Sequence, residues 1–267
     1  MSKTPQWDSL TTNEARHASE QDPVVVLPLA ATEQHGPHLP LSTDVDIGMG
    51  LLAAAFGHLP RGFPAWVLPA QPVGASREHA RFPGTISLDP EELSTVIYRH
   101  GVALSSCGVR RMVLSNSHGG NRAALATAGL KLRDELEMLV VTAHYFLFPR
   151  PPDVDLPDTE WRYGLHGGAI ETSMMLSLCP DRVRTEYLAD ARSLAEDLDE
   201  TLERVSSDNE SASAAWIAGD LNSSGVVGNS SLASPQLGRQ LVSYYGERLA
   251  EVIRDARAFP VERLVSR

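Results

Sequence analysis

Residues 24–38 read Val24-Val25-Val26-Leu27-Pro28-Leu29-Ala30-Ala31-Thr32-Glu33-Gln34-His35-Gly36-Pro37-His38. The opening run is short, apolar and β-branched, the composition of a strand buried on both faces. It leads directly into a carboxylate and two imidazoles, so this polar cluster starts at the carboxyl end of a strand. The same pattern returns at Arg111-Met112-Val113-Leu114-Ser115-Asn116, which opens onto Ser117-His118-Gly119-Gly120-Asn121. Ala65 to Leu68 and Leu139 to His144 read as further strands. Between them lie helical stretches: Val45 to Phe56, a helix from Asp89 with Pro90 in its first turn and Gly108 beyond its last, and one running through Glu137. Strands alternating with helices of this length predict an α/β fold, a single three-layer α/β/α domain over residues 1–267 with a mostly parallel sheet. Ligands of such sheets bind outside the carboxyl ends of the strands, where both polar clusters fall.

Downstream, Pro149 to Pro157 is a proline-rich loop, and Trp161 to His166 leads into a helix from Glu171 to Leu178, stopped by Pro180. A charged helical segment is expected from about Ala189 to Val205, solvated or between subunits, and a polar loop from Ser206 to Ser213. The last helix opens at Ser234-Pro235 and sets Leu237, Leu241, Tyr245, Leu249, Val252 and Ile253 on one apolar face.

Composition narrows the function classes. The chain has 267 residues with 34 acidic against 23 basic, a formal net charge of −11. A phosphate backbone or anionic membrane is repelled by that balance, so neither nucleic acid nor membrane is an expected partner. The N-terminal 22 residues hold no apolar run of signal-peptide length and no uncharged span of membrane length occurs, which reads as a cytoplasmic protein. Two cysteines, Cys107 and Cys179, read as reduced core residues.

The chemistry concentrates in a few clusters. Glu33-x-His35, with Asp44 nine residues on at a helix start, offers the mixed oxygen and nitrogen donors that divalent zinc, manganese or iron accept, and one carboxylate can bridge two ions. On spacing alone a hydrogen-bonded turn with a helix-capping Asp44 is the competing reading. His118 comes from a different strand end, with Gly119 and Gly120 permitting close backbone approach to a ligand. Asn121 suits a helix cap or a supporting position. His166-Gly167-Gly168 with Glu171 forms another imidazole and carboxylate pair, an acid/base and ligand combination. Glu78-His79 reads as a substrate-side pair or as a surface salt bridge, and Trp161 as an aromatic lid or a packing residue.

The long run Leu29 to Leu41 with Thr43-Asp44 resembles the signature of the creatininase (creatinine amidohydrolase) family. Glu78-His79 with Pro83-Gly84-Thr85, Asn116 to Asn121, and His166-Gly167-Gly168 with Glu171-Thr172-Ser173 follow in the family's order, so the resemblance spans about Val24 to Val183. It implies a creatininase-like fold with two divalent ions per subunit, zinc first and manganese or iron as alternatives, held by Glu33, His35, Asp44 and His118 with Asp44 bridging. It also implies a small-molecule amide substrate and a homo-oligomer, a hexamer. Creatininases that open creatinine carry Tyr-Glu where this chain has Gly119-Gly120, and that Glu binds the second ion. Glu171 or a water is expected to fill its place, and the loss also removes a bulky pocket wall. Relatives in the family remove a formyl group from a pyrimidine precursor or cleave a modified peptide.

The expected reaction is hydrolysis of an amide or cyclic amide by a water activated between two ions, with His166 protonating the leaving nitrogen. Other chemistries fit less well. Gly74-Ala75-Ser76-Arg77-Glu78 starts like a nucleophile elbow but lacks its closing Gly. Gly48-Met49-Gly50 falls inside a helix instead of after a strand, where small residues serve close helix contact. From another class, the chain could be a non-catalytic protein that keeps the metal as a clip or binding platform.

Overall fold

The computed structural model describes residues 4–206 and 212–264. In chain order the elements are α1 (Thr12–Glu20), β1 (Val24–Leu29), α2 (Thr43–Gly57), β2 (Ala65–Val67), α3 (Pro90–Ser106), β3 (Arg111–Asn116), α4 (Arg122–Leu136) and β4 (Leu139–His144). The rest of the described chain forms α5 (Asp158–Tyr163), α6 (Ala169–Leu178), β5 (Asp190–Ala191), α7 (Leu194–Asp199), α8 (Ala218–Leu221), β6 (Gly228–Asn229) and α9 (Pro235–Ala258).

Four strands form one parallel sheet in the order β2-β1-β3-β4, with β1 aligned to β3 from Val24↔Arg111 to Leu29↔Asn116. Both central strands are buried along their whole length, which explains their uninterrupted apolar sequence. Alternation still assigns the faces. Val24, Val26 and Val113 meet α2, α6 and α9 on one side, while Val25, Leu27, Met112 and Leu114 meet α3 and α4 on the other. The three-layer expectation is thus what the chain builds. Pro28 is tolerated inside β1 because β2 has already ended at Val67, so the missing N–H removes no ladder bond on that side.

From β1 the chain moves outward to β2, then returns past β1 to place β3 on the other side. The carboxyl ends of β1 and β3 therefore lie side by side at a topological switch point, with connections leaving on opposite faces, and a crevice results there. Small residues bring helices close around it. A methyl group on Gly238 of α9 would meet the Ser173 carbonyl of α6 at 1.8 Å, and one on Gly50 of α2 would meet Leu178 at 2.5 Å, the close-contact role expected for Gly50. Arg111, at the start of β3, anchors the far end: it donates to Ala256 O and Phe259 O at 2.9 and 2.7 Å and pairs with Asp22 at 3.1 Å.

Several local expectations change. The segment from Ala189 to Val205 is helical only over Leu194–Asp199, because Ser193 caps that helix and the preceding Asp190–Ala191 pairs antiparallel with Gly228–Asn229. The approach to His166 is a separate helix, α5, ended at Gly164, and α6 begins at Ala169, ahead of the expected Glu171. Helix α1 is an addition, set by Thr11 and Glu14 in a reciprocal cap. Both cysteines are free, but Cys107 is exposed at the end of α3 and is not a core residue. Residues 207–211 of the polar loop from Ser206 to Ser213 lie outside the described residues; Ser206 and Ser213 meet in a parallel bridge. No helix among the described residues is long and apolar enough to cross a membrane.

Candidate metal centre

Five segments deliver side chains to the crevice. Glu33 and His35 lie on the loop after β1, Asp44 in the first turn of α2, and His118 just past β3. A single helical turn, Arg77–His79, brings Glu78 and His79, and the loop into α6 and the first turn of that helix bring His166 and Glu171. In α2 the two acidic residues diverge. Asp44 turns inward and is buried, whereas Asp46 pairs outward with Arg182 at 2.7 Å.

Asp44 divides its two oxygens. Oδ1 lies 3.2 Å from His35 Nε2, and Oδ2 lies 3.4 Å from His118 Nδ1. Glu33 Oε1 is 3.1 Å from His118 Nδ1, and Glu171 Oε2 is 3.9 Å from His35 Nε2. Two donor sets follow, Glu33/Asp44/His118 and His35/Asp44/Glu171, sharing Asp44; a third, Glu33/His35/His166, overlaps both. Glu33 Oε1, His35 Nε2 and Asp44 Oδ2 are buried without a hydrogen-bond partner. Three unpartnered polar atoms at one point would be costly in a core that held nothing. They belong to residues named as ligands from sequence, and a divalent ion satisfies such donors.

The electrostatics agree. Burial opposes charge on His35 and His118, yet Asp44, Glu171 and Glu33 lift the first to about 9, and Glu33, Asp44 and Glu78 lift the second to about 10. The carboxylates thus demand positive charge at the two imidazoles, which protons supply when metal does not. Burial lowers His79 to about 4 and, with His35 and His79 nearby, holds His166 well below the usual imidazole range, so both stay neutral at pH 7. Glu171 is pushed up to about 7, mainly by burial.

Behind the ligands a hydrogen-bonded frame holds the loops in place. Asn121 donates to Ala30 O and Asn116 Oδ1, both at 3.1 Å, and accepts from Ala75 N at 2.9 Å, tying three loops instead of capping α4. Ser76 Oγ donates to Glu33 Oε2. Glu160, buried in α5, accepts from Ala169 N at 2.6 Å and Asn229 N at 2.7 Å, fixing the start of α6 and so the approach of Glu171.

Every residue proposed from sequence as a ligand or acid/base group is drawn into this crevice. Glu78 is half-buried with Oε1 3.4 Å from His118 Nε2, and His79 is buried, so this pair is not a surface salt bridge. Trp161 is half-buried against the apolar cluster of α2, α6 and α9 with the Arg150 guanidinium 5.3 Å over its ring, which is the packing alternative. Gly119 is exposed, and a side chain there would meet nothing within 4 Å, so the rim is open at that point. Gly120 is the opposite case. A Cβ on it would come within 2.3 Å of Ala75 O, 2.4 Å of Glu78 and 2.6 Å of His118 Nε2. Gly120→Ala should therefore displace His118, with metal affinity falling on the order of 10–100-fold in a competition titration; unchanged affinity would show that the loop yields freely.

Three participants escaped the sequence reading: Gln34, Ser76 and Tyr145. Tyr145 immediately follows β4, and burial first, then Glu171 and Asp44, push its phenol well above the usual range. Its signal was available, since the rule that picked His118 from the end of β3 selects Tyr145 from the end of β4. Ser76 was weighed only as a nucleophile, and Gln34 carried no charge to mark it.

Known proteins share these features. The family described as "Creatininase: Creatinine amidohydrolase" matches residues 8–253. The chain is 37% identical over 182 residues to a mycofactocin precursor peptide peptidase of Mycolicibacterium smegmatis, covering 67% of each. A protein of the same name from Mycobacterium tuberculosis is 37% identical over 61% of this chain and 62% of its own length. A creatinine amidohydrolase of Pseudomonas putida is 32% identical over 66% of this chain and 72% of that one. Among solved structures, a manganese creatininase aligns with a TM-score of 0.75 at 26% identity over 97% of this chain and all of that one. A mutant creatininase of Zn-Zn type aligns at 0.73 and 25%, with the same coverage.

Proposed function

The chain belongs to the creatininase family, and from that premise we propose that it is a metal-dependent amidohydrolase acting on an acyclic amide, peptide-like or formamido, in preference to creatinine. The observation that carries the metal is the convergence of three unpartnered buried atoms on Glu33, His35 and Asp44. Glu33, Asp44 and His118 would hold one ion and His35, Asp44 and Glu171 a second, with Asp44 shared. Zinc suits these donors, as do manganese and iron. Such ions, when bound, bring a water to nucleophilic strength near neutral pH and polarise the carbonyl it attacks.

The protein's own groups handle protons and position. His166 Nε2 donates to Gln34 O at 2.6 Å, so the neutral ring turns its Nδ1 lone pair inward, 3.6 Å from Glu33 Oε1. In this tautomer His166 cannot begin as an acid. It first accepts the proton of the nucleophile, and only then returns it to the leaving nitrogen, which refines the acid role expected from sequence. Ser76 orients Glu33 through its other oxygen, and the Gly167 N–H holds Glu171 at 2.6 Å through Oε2, the oxygen that faces His35.

The substrate preference rests on the open rim at Gly119 and on higher identity to the peptidase-named relatives than to the creatinine amidohydrolase. Protein reconstituted with zinc, and separately with manganese, should be assayed with creatinine, small formamides and short peptides. Turnover of an acyclic amide above creatinine is the expected result. Creatinine as the best substrate would overturn the preference, and a metal-loaded protein silent on all three would favour the non-catalytic reading.

A further inference from the structure

Gln34 lies between the candidate ligands Glu33 and His35 in sequence yet makes contacts that metal binding does not require. Its Oε1 accepts the N–H of Gly36 at 2.9 Å, while its Nε2 donates to Gly225 O and to His79 Nδ1, both at 2.8 Å. Two backbone groups of opposite sense therefore fix which way the amide faces. Gly225 allows this approach: it adopts φ +79°, and a Cβ there would lie 2.6 Å from the Gln34 side-chain oxygen. Since the amide nitrogen only donates, His79 Nδ1 must accept, and the proton of that neutral ring sits on Nε2.

The backbone of the same residue sets the second imidazole the other way. Gln34 O accepts from His166 Nε2 at 2.6 Å, leaving Nδ1 as the acceptor. The two rings are stacked, with centroids 4.1 Å apart and planes 30° from parallel. Their inward edges face one place: His79 Nε2 is 3.7 Å and His166 Nδ1 3.6 Å from Glu33 Oε1. At 3.7 Å the His79 N–H makes no hydrogen bond to Glu33 and remains available to a ligand. Its side chain is only 4% exposed, so this donor points into the crevice and not to bulk water.

We propose that Gln34 is a tautomer-setting residue that poses the stacked His166 and His79 with opposite polarity, and that the His79 Nε2–H donates to an oxygen of the ligand, the carbonyl of the scissile amide or the carboxylate of the product. The assignment of that oxygen rests on the amidohydrolase reading; the tautomers do not. A donor fixed in advance costs little reorganisation when charge develops on the oxygen it faces. Gln34 thereby acts as a positioning residue for two rings, through its side chain for one and its backbone for the other.

The test reads ring tautomers by long-range 1H–15N NMR on zinc-loaded, histidine-labelled protein, with acetate as the ligand probe. Both His79 and His166 are expected as Nε2–H tautomers in the wild type, and acetate should shift the His79 Hε2 resonance. In Gln34→Glu the carboxylate can only accept, so His79 should switch to Nδ1–H while His166, held by a backbone carbonyl, stays unchanged. Acetate should then bind on the order of tenfold more weakly, the value of one hydrogen bond to a charged group. Gln34→Met, which is of similar length and carries no charge, should release His79 into exchange between tautomers and guards against misfolding of the first variant. An Nδ1–H His79 in the wild type, or no change in either variant, would overturn the role of Gln34; a His79 proton unmoved by acetate would overturn its role as donor. A protein with these tautomers but no turnover would instead sink the amidohydrolase reading alone.

Discussion

Replacing Asp44 with Ala should strip both ions from the chain, taking metal content from about two per chain to near zero and abolishing turnover. The expectation follows from the division of its carboxylate, one oxygen toward His35 and the other toward His118. No other residue belongs to both the Glu33/His118 and the His35/Glu171 donor sets. Loss of a supporting residue weakens metal binding about 10–100-fold, and loss of a shared ligand should exceed that at both positions. His35→Ala and His118→Ala provide the contrast, since each breaks one set and should leave close to one ion. Thermal melts give a second readout: free zinc at about 100 times its dissociation constant stabilises a folded protein by about 2.7 kcal/mol. The wild type should gain this upshift and Asp44→Ala should not. Elemental analysis of protein purified without chelator decides the matter, and two ions retained by Asp44→Ala would remove it as the bridge.

That one residue can be singled out reflects how much of the site was visible in the chain. β1 and β3 announce themselves as unbroken apolar runs because both faces are covered, and the polar residues just after them had to lie at the carboxyl edge of the sheet. Glu33, His35 and His118 were therefore legible as candidates from the sequence, while Asp44, in the first turn of α2, needed the family resemblance to choose between a ligand and a helix cap. What was not legible is held by long-range geometry. Nothing local to Gln34 says that its amide reaches Gly225, 191 residues away, or that Glu160 will secure the turn into α6. The tautomer of His166 was likewise invisible, because it depends on a carbonyl 132 residues distant. Trp161 shows the converse limit. Its position near His166 in sequence suggested a lid as much as a packing residue, and its contacts with the apolar cluster are set by the fold and not by local sequence.

Short elements were the weakest part of the sequence reading for a related reason. The charges between Ala189 and Val205 suit a helix, but a two-residue pairing with Gly228–Asn229 takes the first part of the segment. That pairing and the antiparallel bridge between His166 and Val227 are neighbours in the β6 region, so the strand that ended the expected helix also backs the loop that carries His166. The fold gives up a longer surface helix there and gains a second support for His166.

His166→Asn should retain both ions while turnover falls on the order of 10²–10⁴-fold, the usual contribution of a positioned acid/base group. Asn is the informative substitution because its amide oxygen can occupy the place of Nδ1 and accept a hydrogen bond, yet it cannot take up a proton and pass it on. His166→Ala should lose as much activity, but it also vacates the space between two rings whose centroids lie 4.1 Å on either side, so its effect mixes chemistry with packing. The alternative is that His166 is a ligand, as its place in a donor set with Glu33 and His35 permits. The two cases separate on metal content. A ligand's removal lowers occupancy in step with activity, whereas a proton carrier's removal leaves occupancy at the wild-type value. The inward lone pair at Nδ1, 3.6 Å from Glu33 Oε1, suits either use, so metal content and not geometry decides between them. Loss of one ion in His166→Asn would move His166 into the metal shell and leave Tyr145, buried beside Glu171, as the group to examine for proton delivery.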